Sequence, residues 1–129
     1  MAGNTVDVTD ATFQSDVIDS GKTVLVDFWA AWCGPCRAFA PIFERASEAH
    51  PDIVFGKVDT ETEQQLAAAA RIQAIPTLMA FRSRVPVFSQ PGALPSPSLE
   101  KLIEAIRALD VAPRPGYAGA AASPSQGAA

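Results

Sequence analysis

The sequence predicts an α/β protein: a mixed, roughly five-stranded sheet with helices on both faces, in the order βαβαβαββα. Three observations carry this. From residue 5 to about residue 110, β-branched or aromatic runs alternate with stretches whose apolar residues recur at helical spacing. The first three strands are each separated by a helical stretch, which calls for parallel pairing through right-handed crossovers. The last two strands are joined by a tight turn alone, which makes them antiparallel.

Each element follows in order. Residues 6–8 read as a short strand, and Thr9 can cap a helix over residues 11–19. TVLVDFWAAW, from Thr23, is a buried strand with one charge, Asp27, at its middle. The next segment, CRAFAPIFERASEAH, places Phe39, Ile42, Phe43 and Ala46 on one helical face. Pro41 lies inside that helix and removes one backbone donor. IVFGKVD, residues 53–59, is a second buried strand. Thr62-x-x-Gln65 fits a capping box before the alanine-rich QLAAAAR helix. Residues 77–82 and 85–89 form a hairpin, with Pro86 suited to an edge strand. Ser96 as N-cap with Pro97 at the first helical position opens a final helix, whose buried stripe is Leu99, Leu102, Ile103 and Ile106. The composition then changes. After Val111 there is no Leu, Ile, Val, Phe or Trp. The expected organisation is one domain over residues 1–110 and a disordered Ala/Pro/Gly/Ser-rich tail over 111–129, with Tyr117 an incidental aromatic.

Composition removes several classes of function. The net charge of −4 over 129 residues argues against nucleic acid, whose backbone rewards clustered Lys and Arg. Arg82 and Arg84 make the densest basic spot and read as a solvated hairpin tip. No apolar run is long enough for a membrane helix. MAGNTVDVTD has neither a basic n-region nor an apolar h-region, so a reducing cytoplasm is the expected location. In that setting, two cysteines are more often catalytic or metal-binding than structural.

Both cysteines of the chain lie in AWCGPCR, three positions apart. As a staple, a bridge across so short a loop would remove roughly 2 kcal/mol of chain entropy and tie together nothing distant. A structural zinc site wants four ligands, and the chain offers one histidine, His50, and no second CxxC. His50, at a helix end, suits the C-terminal partial charge instead. A haem attachment motif needs His after the second Cys, where Arg37 stands. The redox reading fits better. Cys33 falls at a strand-to-helix junction, where unsatisfied N–H groups and the helix dipole favour a thiolate. Cys36 lies one turn inside the helix, within disulfide reach, and Gly34-Pro35 gives a tight helix entry.

The chain resembles the thioredoxin family. Trp32-Cys33-Gly34-Pro35-Cys36 is that family's active-site pentapeptide, preceded by Val26-Asp27-Phe28-Trp29-Ala30. Pro41, Lys57, Ile75-Pro76-Thr77 and Gly92-Ala93 follow in matching order, and the resemblance covers roughly residues 5–109. It implies the thioredoxin fold and protein-disulfide reduction in the service of cell redox homeostasis. It assigns Cys33 as the attacking thiolate and Cys36 as the resolving thiol, with Asp27 beneath them to take the Cys36 proton. Lys57 is implied to pair with Asp27 and tune it. Pro76 is implied to be cis, so that the Ile75 backbone offers an edge to a substrate chain. Trp32, Gly34, Pro35, Ile75, Pro76, Gly92 and Ala93 would form the docking rim, with Trp29 packed behind it. The resemblance further implies a monomer with no bound cofactor, reduced in trans by an NADPH-dependent flavoprotein thioredoxin reductase and acting on disulfide-containing proteins.

Two departures and two rivals accompany that reading. Ser83-Arg84 stands where many members of the family have Asn-Gly or Asp-Gly, which leaves the turn type open. Arg37 replaces a frequent lysine and keeps its charge. The rivals are a disulfide oxidase or isomerase, which belongs in an oxidising compartment, and a redox-independent binding module that uses the apolar rim.

Overall fold

In the computed structural model, which describes residues 3–109, the apolar run Val24–Trp29 lies at the centre of one sheet. Among these residues five strands form that sheet: β1 (Val6–Asp7), β2 (Val24–Trp29), β3 (Val54–Asp59), β4 (Thr77–Arg82) and β5 (Val85–Pro91). Their order is β1-β3-β2-β4-β5. β2 is buried on all but Trp29, so it needs neighbours on both edges and cover on both faces. It runs parallel to β3 and antiparallel to β4. β1 is parallel to β3, and β5 antiparallel to β4. The crossovers and the closing hairpin expected from the element order are both present.

The pleat of β2 sorts its side chains into two cores. Leu25 joins Phe39, Phe43 and Ala46 of α1 (Gly34–Ala49) and Leu99, Ile103 and Ile106 of α3 (Ser96–Arg107). Val24, Val26 and Phe28 face the other way, with Val8, Val17 and Leu66, the last from α2 (Gln64–Ala69). Asp27, two residues after Leu25, therefore belongs to the α1 face. That parity places the one charge of the strand beneath the helix carrying Cys36.

Three local expectations change. The helix expected over residues 11–19 is a π-helical turn, Gln14–Ile18, closed by Asp19 N–H donating to the Gln14 carbonyl at 2.8 Å. Thr9 does not cap it: the N-cap is Phe13, with no side-chain bond, and the Thr9 hydroxyl instead accepts from Thr12 N–H at 3.2 Å in the preceding turn. The wider winding turns Phe13, Val17 and Ile18 together toward the sheet, where all three pack. The capping box proposed at Thr62 and Gln65 does not form: α2 starts from Glu63 with no side-chain cap of its own. Its N-terminal amide is satisfied from across the fold, Leu66 N–H donating to Asp10 Oδ1 at 2.8 Å while Asp10 N–H donates to Glu63 Oε1 at 2.9 Å. In α3 the cap falls at Pro95, not Ser96, again with no side-chain bond.

The hairpin turn resolves the doubt left by Ser83-Arg84. Both residues take positive φ, 51° and 73°. This is the handedness a two-residue type I′ turn requires, adopted without glycine or asparagine. β5 is an edge strand, as Pro86 suggested, with a register shift at Ala80/Phe81. The domain limit at 110, the expected tail and Tyr117 lie outside the described residues. Among the described residues no helix is long and apolar enough to cross a membrane.

Candidate active site

β2 ends at Trp29, and the chain passes through buried Ala30 into the start of α1. Cys33 is the N-cap, with extended backbone (φ −86°, ψ 114°) and its Sγ accepting from Cys36 N–H at 3.1 Å. A sulfur thus does the capping that Ser or Asp performs elsewhere, which favours negative charge on Cys33. Pro35 sits in the first turn, where its missing donor costs nothing. Cys33 and Cys36 are joined as a disulfide, their Cα atoms 5.2 Å apart. Both are buried, and Arg37 braces the loop by donating to the Ala31 carbonyl at 3.0 Å.

Residues distant in sequence close around the pair. Trp29 and Ile75 pack against the small cluster of Ala30, Cys33 and Cys36. The Ile75–Pro76 peptide is cis, and the Ile75 carbonyl oxygen lies 3.7 Å from Cys33 Sγ. Two bonds hold that loop: Thr77 hydroxyl to the Ala74 carbonyl at 2.6 Å, and Gly92 N–H to the Pro76 carbonyl at 2.8 Å. Gly92 takes φ 107°, which only glycine adopts readily. Pro76 is buried, Ile75 half-buried, and Gly34, Pro35, Gly92 and Ala93 are exposed. Trp32 is 67% exposed, an isolated aromatic on the loop before Cys33. Its neighbour Trp29 is turned inward and carries an indole N–H without a partner.

Asp27 is 1% exposed, and neither carboxylate oxygen has a hydrogen-bond partner. Burial pushes its carboxyl up from 3.8 to about 7, against a smaller downward pull from the Lys57 charge. Lys57 stands directly across from Asp27 in the β2–β3 register. The ion pair expected between the two is replaced by another. The Lys57 ammonium lies 3.8 Å from Glu44 Oε2 and 4.9 Å from the centre of the Trp29 ring. Glu44 was not singled out in the sequence, because it borders the apolar stripe of α1 one step past Phe43 and carries no motif. A cleft of about 250 Å³, lined by Lys57, Trp29, Asp7, Asp59 and Glu63, opens beside the pair at the β1 edge of the sheet.

The single histidine is elsewhere. His50, the C-cap of α1, bridges α1 to α3 through Glu100 Oε1 at 2.8 Å and Arg107 Nη2 at 2.9 Å. Arg107 can only donate, so Nδ1 accepts and Nε2 carries the proton toward Glu100. Among the described residues no group of three or more His, Cys, Asp or Glu is placed to hold a metal ion.

Comparison with known proteins names the family that this geometry suits. The family model for thioredoxin matches residues 4–105. The chain belongs to the thioredoxin family. Putative thioredoxin 2 of Streptomyces coelicolor is 53% identical over 108 residues, covering 84% of this chain and 80% of that protein. A thioredoxin of Mycobacterium tuberculosis is 46% identical over 90 residues, covering 69% of this chain and 78% of that one. The bifunctional thioredoxin reductase/thioredoxin of Mycobacterium leprae is 45% identical over 93 residues, covering 71% of this chain and 20% of its own length. The fold is the thioredoxin fold, and the activity is that of a thiol–disulfide oxidoreductase. The Cys33–Cys36 pair fits reversible dithiol/disulfide exchange with protein targets.

Proposed function

We propose that the chain reduces disulfides of other proteins in the cytoplasm, one residue taking each part of the reaction. The Cys33 thiolate attacks one sulfur of a target disulfide, and the other target sulfur leaves with the electron pair as a thiolate that takes a proton from solvent. Asp27, as carboxylate, takes the proton of the Cys36 thiol. The Cys36 thiolate then attacks Cys33 Sγ, and the second target sulfur leaves as a thiolate that takes a proton from solvent. The target gains two electrons and two protons, and Cys33–Cys36 becomes the disulfide. The rim of Trp32, Gly34, Pro35, Ile75, Pro76, Gly92 and Ala93 receives the target segment, the Ile75 carbonyl beside Cys33 aligning its backbone.

One observation carries most of this reading. Cys33 Sγ accepts the Cys36 amide at a helix N-terminus, with a buried, unpartnered carboxyl on the same face of the sheet. Electrons return to the pair from an NADPH-dependent flavoprotein thioredoxin reductase, and the protein acts as a monomer. The fused reductase and thioredoxin named in Mycobacterium leprae supports that donor.

The test is a pair of variants. Cys33→Ser should abolish turnover of any protein disulfide, and Cys36→Ser should accumulate target-linked Cys33 species, seen as a mass increase removed by dithiothreitol. Full activity in Cys33→Ser would refute the assignment.

A further inference from the structure

Lys57 is placed where it could serve either of two carboxylates, and it serves the less obvious one. It is the register partner of Asp27, yet its ammonium rests between Glu44 Oε2 at 3.8 Å and the face of Trp29 at 4.9 Å. Both ends of that pair are shielded, with Lys57 13% and Glu44 23% exposed. Asp27 is left with no hydrogen bond to either oxygen. Its register partner in β4 is the apolar Leu78, and α1, with Cys33 as its N-cap, covers this face of the sheet. The remaining charged groups beside Lys57 are Asp7, Asp59 and Glu63 on the cleft wall. Two of these are engaged otherwise: Asp59 accepts from Glu61 N–H at 2.9 Å and Glu63 from Asp10 N–H at 2.9 Å.

We propose that Glu44 is a positioning residue for the redox reaction: its carboxylate holds the Lys57 ammonium against Trp29 and so keeps it from closing on Asp27. The argument is electrostatic. An ammonium in contact with a carboxylate favours the ionised form and weakens its hold on a proton by about ten- to a thousandfold. Were Lys57 to close on Asp27, the carboxylate would become a poor acceptor for the proton of a thiol. Held by Glu44, Lys57 acts on Asp27 only from a distance, and burial dominates. The Trp29 ring completes the cradle, because its face attracts the cation without supplying a competing charge. The consequence for turnover rests on the proposed role of Asp27; the placement of Lys57 does not.

The two are separated by titrating the Asp27 carboxyl directly, by carbon-13 NMR of the oxidised full chain, and comparing wild type with Glu44→Gln, Glu44→Asp, Lys57→Met and the double Glu44→Gln/Lys57→Met variant. Glu44→Gln should make Asp27 at least about tenfold more acidic. Glu44→Asp, which keeps the charge, should return it to within about threefold of wild type. In the Lys57→Met background, removing Glu44 should shift it by less than about threefold. An unmoved titration in Glu44→Gln, or an equal shift with and without Lys57, overturns the proposal. The pH profile of mixed-disulfide resolution supplies the second readout. If the carboxyl shifts as expected and the rate profile does not follow, the placement of Lys57 by Glu44 stands, Asp27 is not the proton acceptor, and the part of Glu44 in the redox reaction is overturned.

Discussion

Replacing Asp27 with asparagine should shift the stability of the oxidised protein in the variant's favour by an amount that grows with pH. The carboxyl is buried without a hydrogen-bond partner, and its proton affinity rises from 3.8 to about 7 on folding. Below 3.8 it is protonated in both folded and unfolded chains and affects stability in neither direction. Between 3.8 and about 7 the unfolded chain gives up the proton while the folded one keeps it. The unfolded state then binds fewer protons, so stability falls as pH rises. Above about 7 both states are ionised and the loss is complete. At about 1.4 kcal/mol per pH unit, that window corresponds to a loss of about 4 kcal/mol, an order-of-magnitude figure for a group this deeply buried. Asparagine carries no such titration, and the fixed cost of its own buried amide does not vary with pH. The difference in unfolding free energy between Asp27→Asn and wild type should therefore rise by about 4 kcal/mol from pH 4 to pH 8 and then level off. Urea denaturation followed by tryptophan fluorescence, at constant ionic strength, measures it. A pH-independent difference across that range would refute the burial argument, and with it the unpartnered state of Asp27.

Other perturbations test other links. A Cβ at Gly56 would lie 2.8 Å from Cγ2 of the buried Val8. Gly56→Ala should cost about 1–3 kcal/mol in chemical denaturation, and less in a Val8→Ala background, because the clash is with that methyl. Ser83 and Arg84 hold positive φ without being glycine or asparagine. Ser83→Asn with Arg84→Gly should raise stability by about 1 kcal/mol, and a thermal melt that moves downward would argue against the turn geometry. Trp32 is two-thirds exposed. Trp32→Ala should change stability by no more than about 0.5 kcal/mol. It should lower kcat/KM for a protein disulfide by about tenfold, the loss of an aromatic contact residue. Equal kcat/KM would remove Trp32 from the docking rim.

The parts of this protein visible in its sequence are those whose physics is local. VLVDFW is buried on both faces and so shows no alternation, which marks a central strand. The stripe of Leu99, Leu102, Ile103 and Ile106 follows from helical spacing alone, and α3 buries all of it but Leu102, which is half-buried. The cysteine pair announces itself because the helix N-terminus and the second thiol lie within four residues. What the sequence hid depends on residues that meet only after folding. The cap of α2 comes from Asp10, 56 positions away, so the nearer Thr62 looked like the candidate. The π-helical turn brings three apolar side chains to one sheet face, and their spacing in the sequence does not distinguish it from an α-helix. Lys57 and Asp27 are opposed in register, yet the ion pair that the resemblance implies is replaced by Lys57 with Glu44. The outcome turned on Glu44, whose approach depends on how α1 lies over β3.

The central claim is that Cys33–Cys36 works as a reducing dithiol, and its reduction potential tests that most directly. Equilibration in defined thiol/disulfide buffers, with alkylation of free thiols as readout, gives the value. The account predicts about −270 mV, the thioredoxin value. A potential between about −180 and −120 mV would mean the pair donates disulfides, contradicting the reductase reading and the cytoplasmic setting proposed with it.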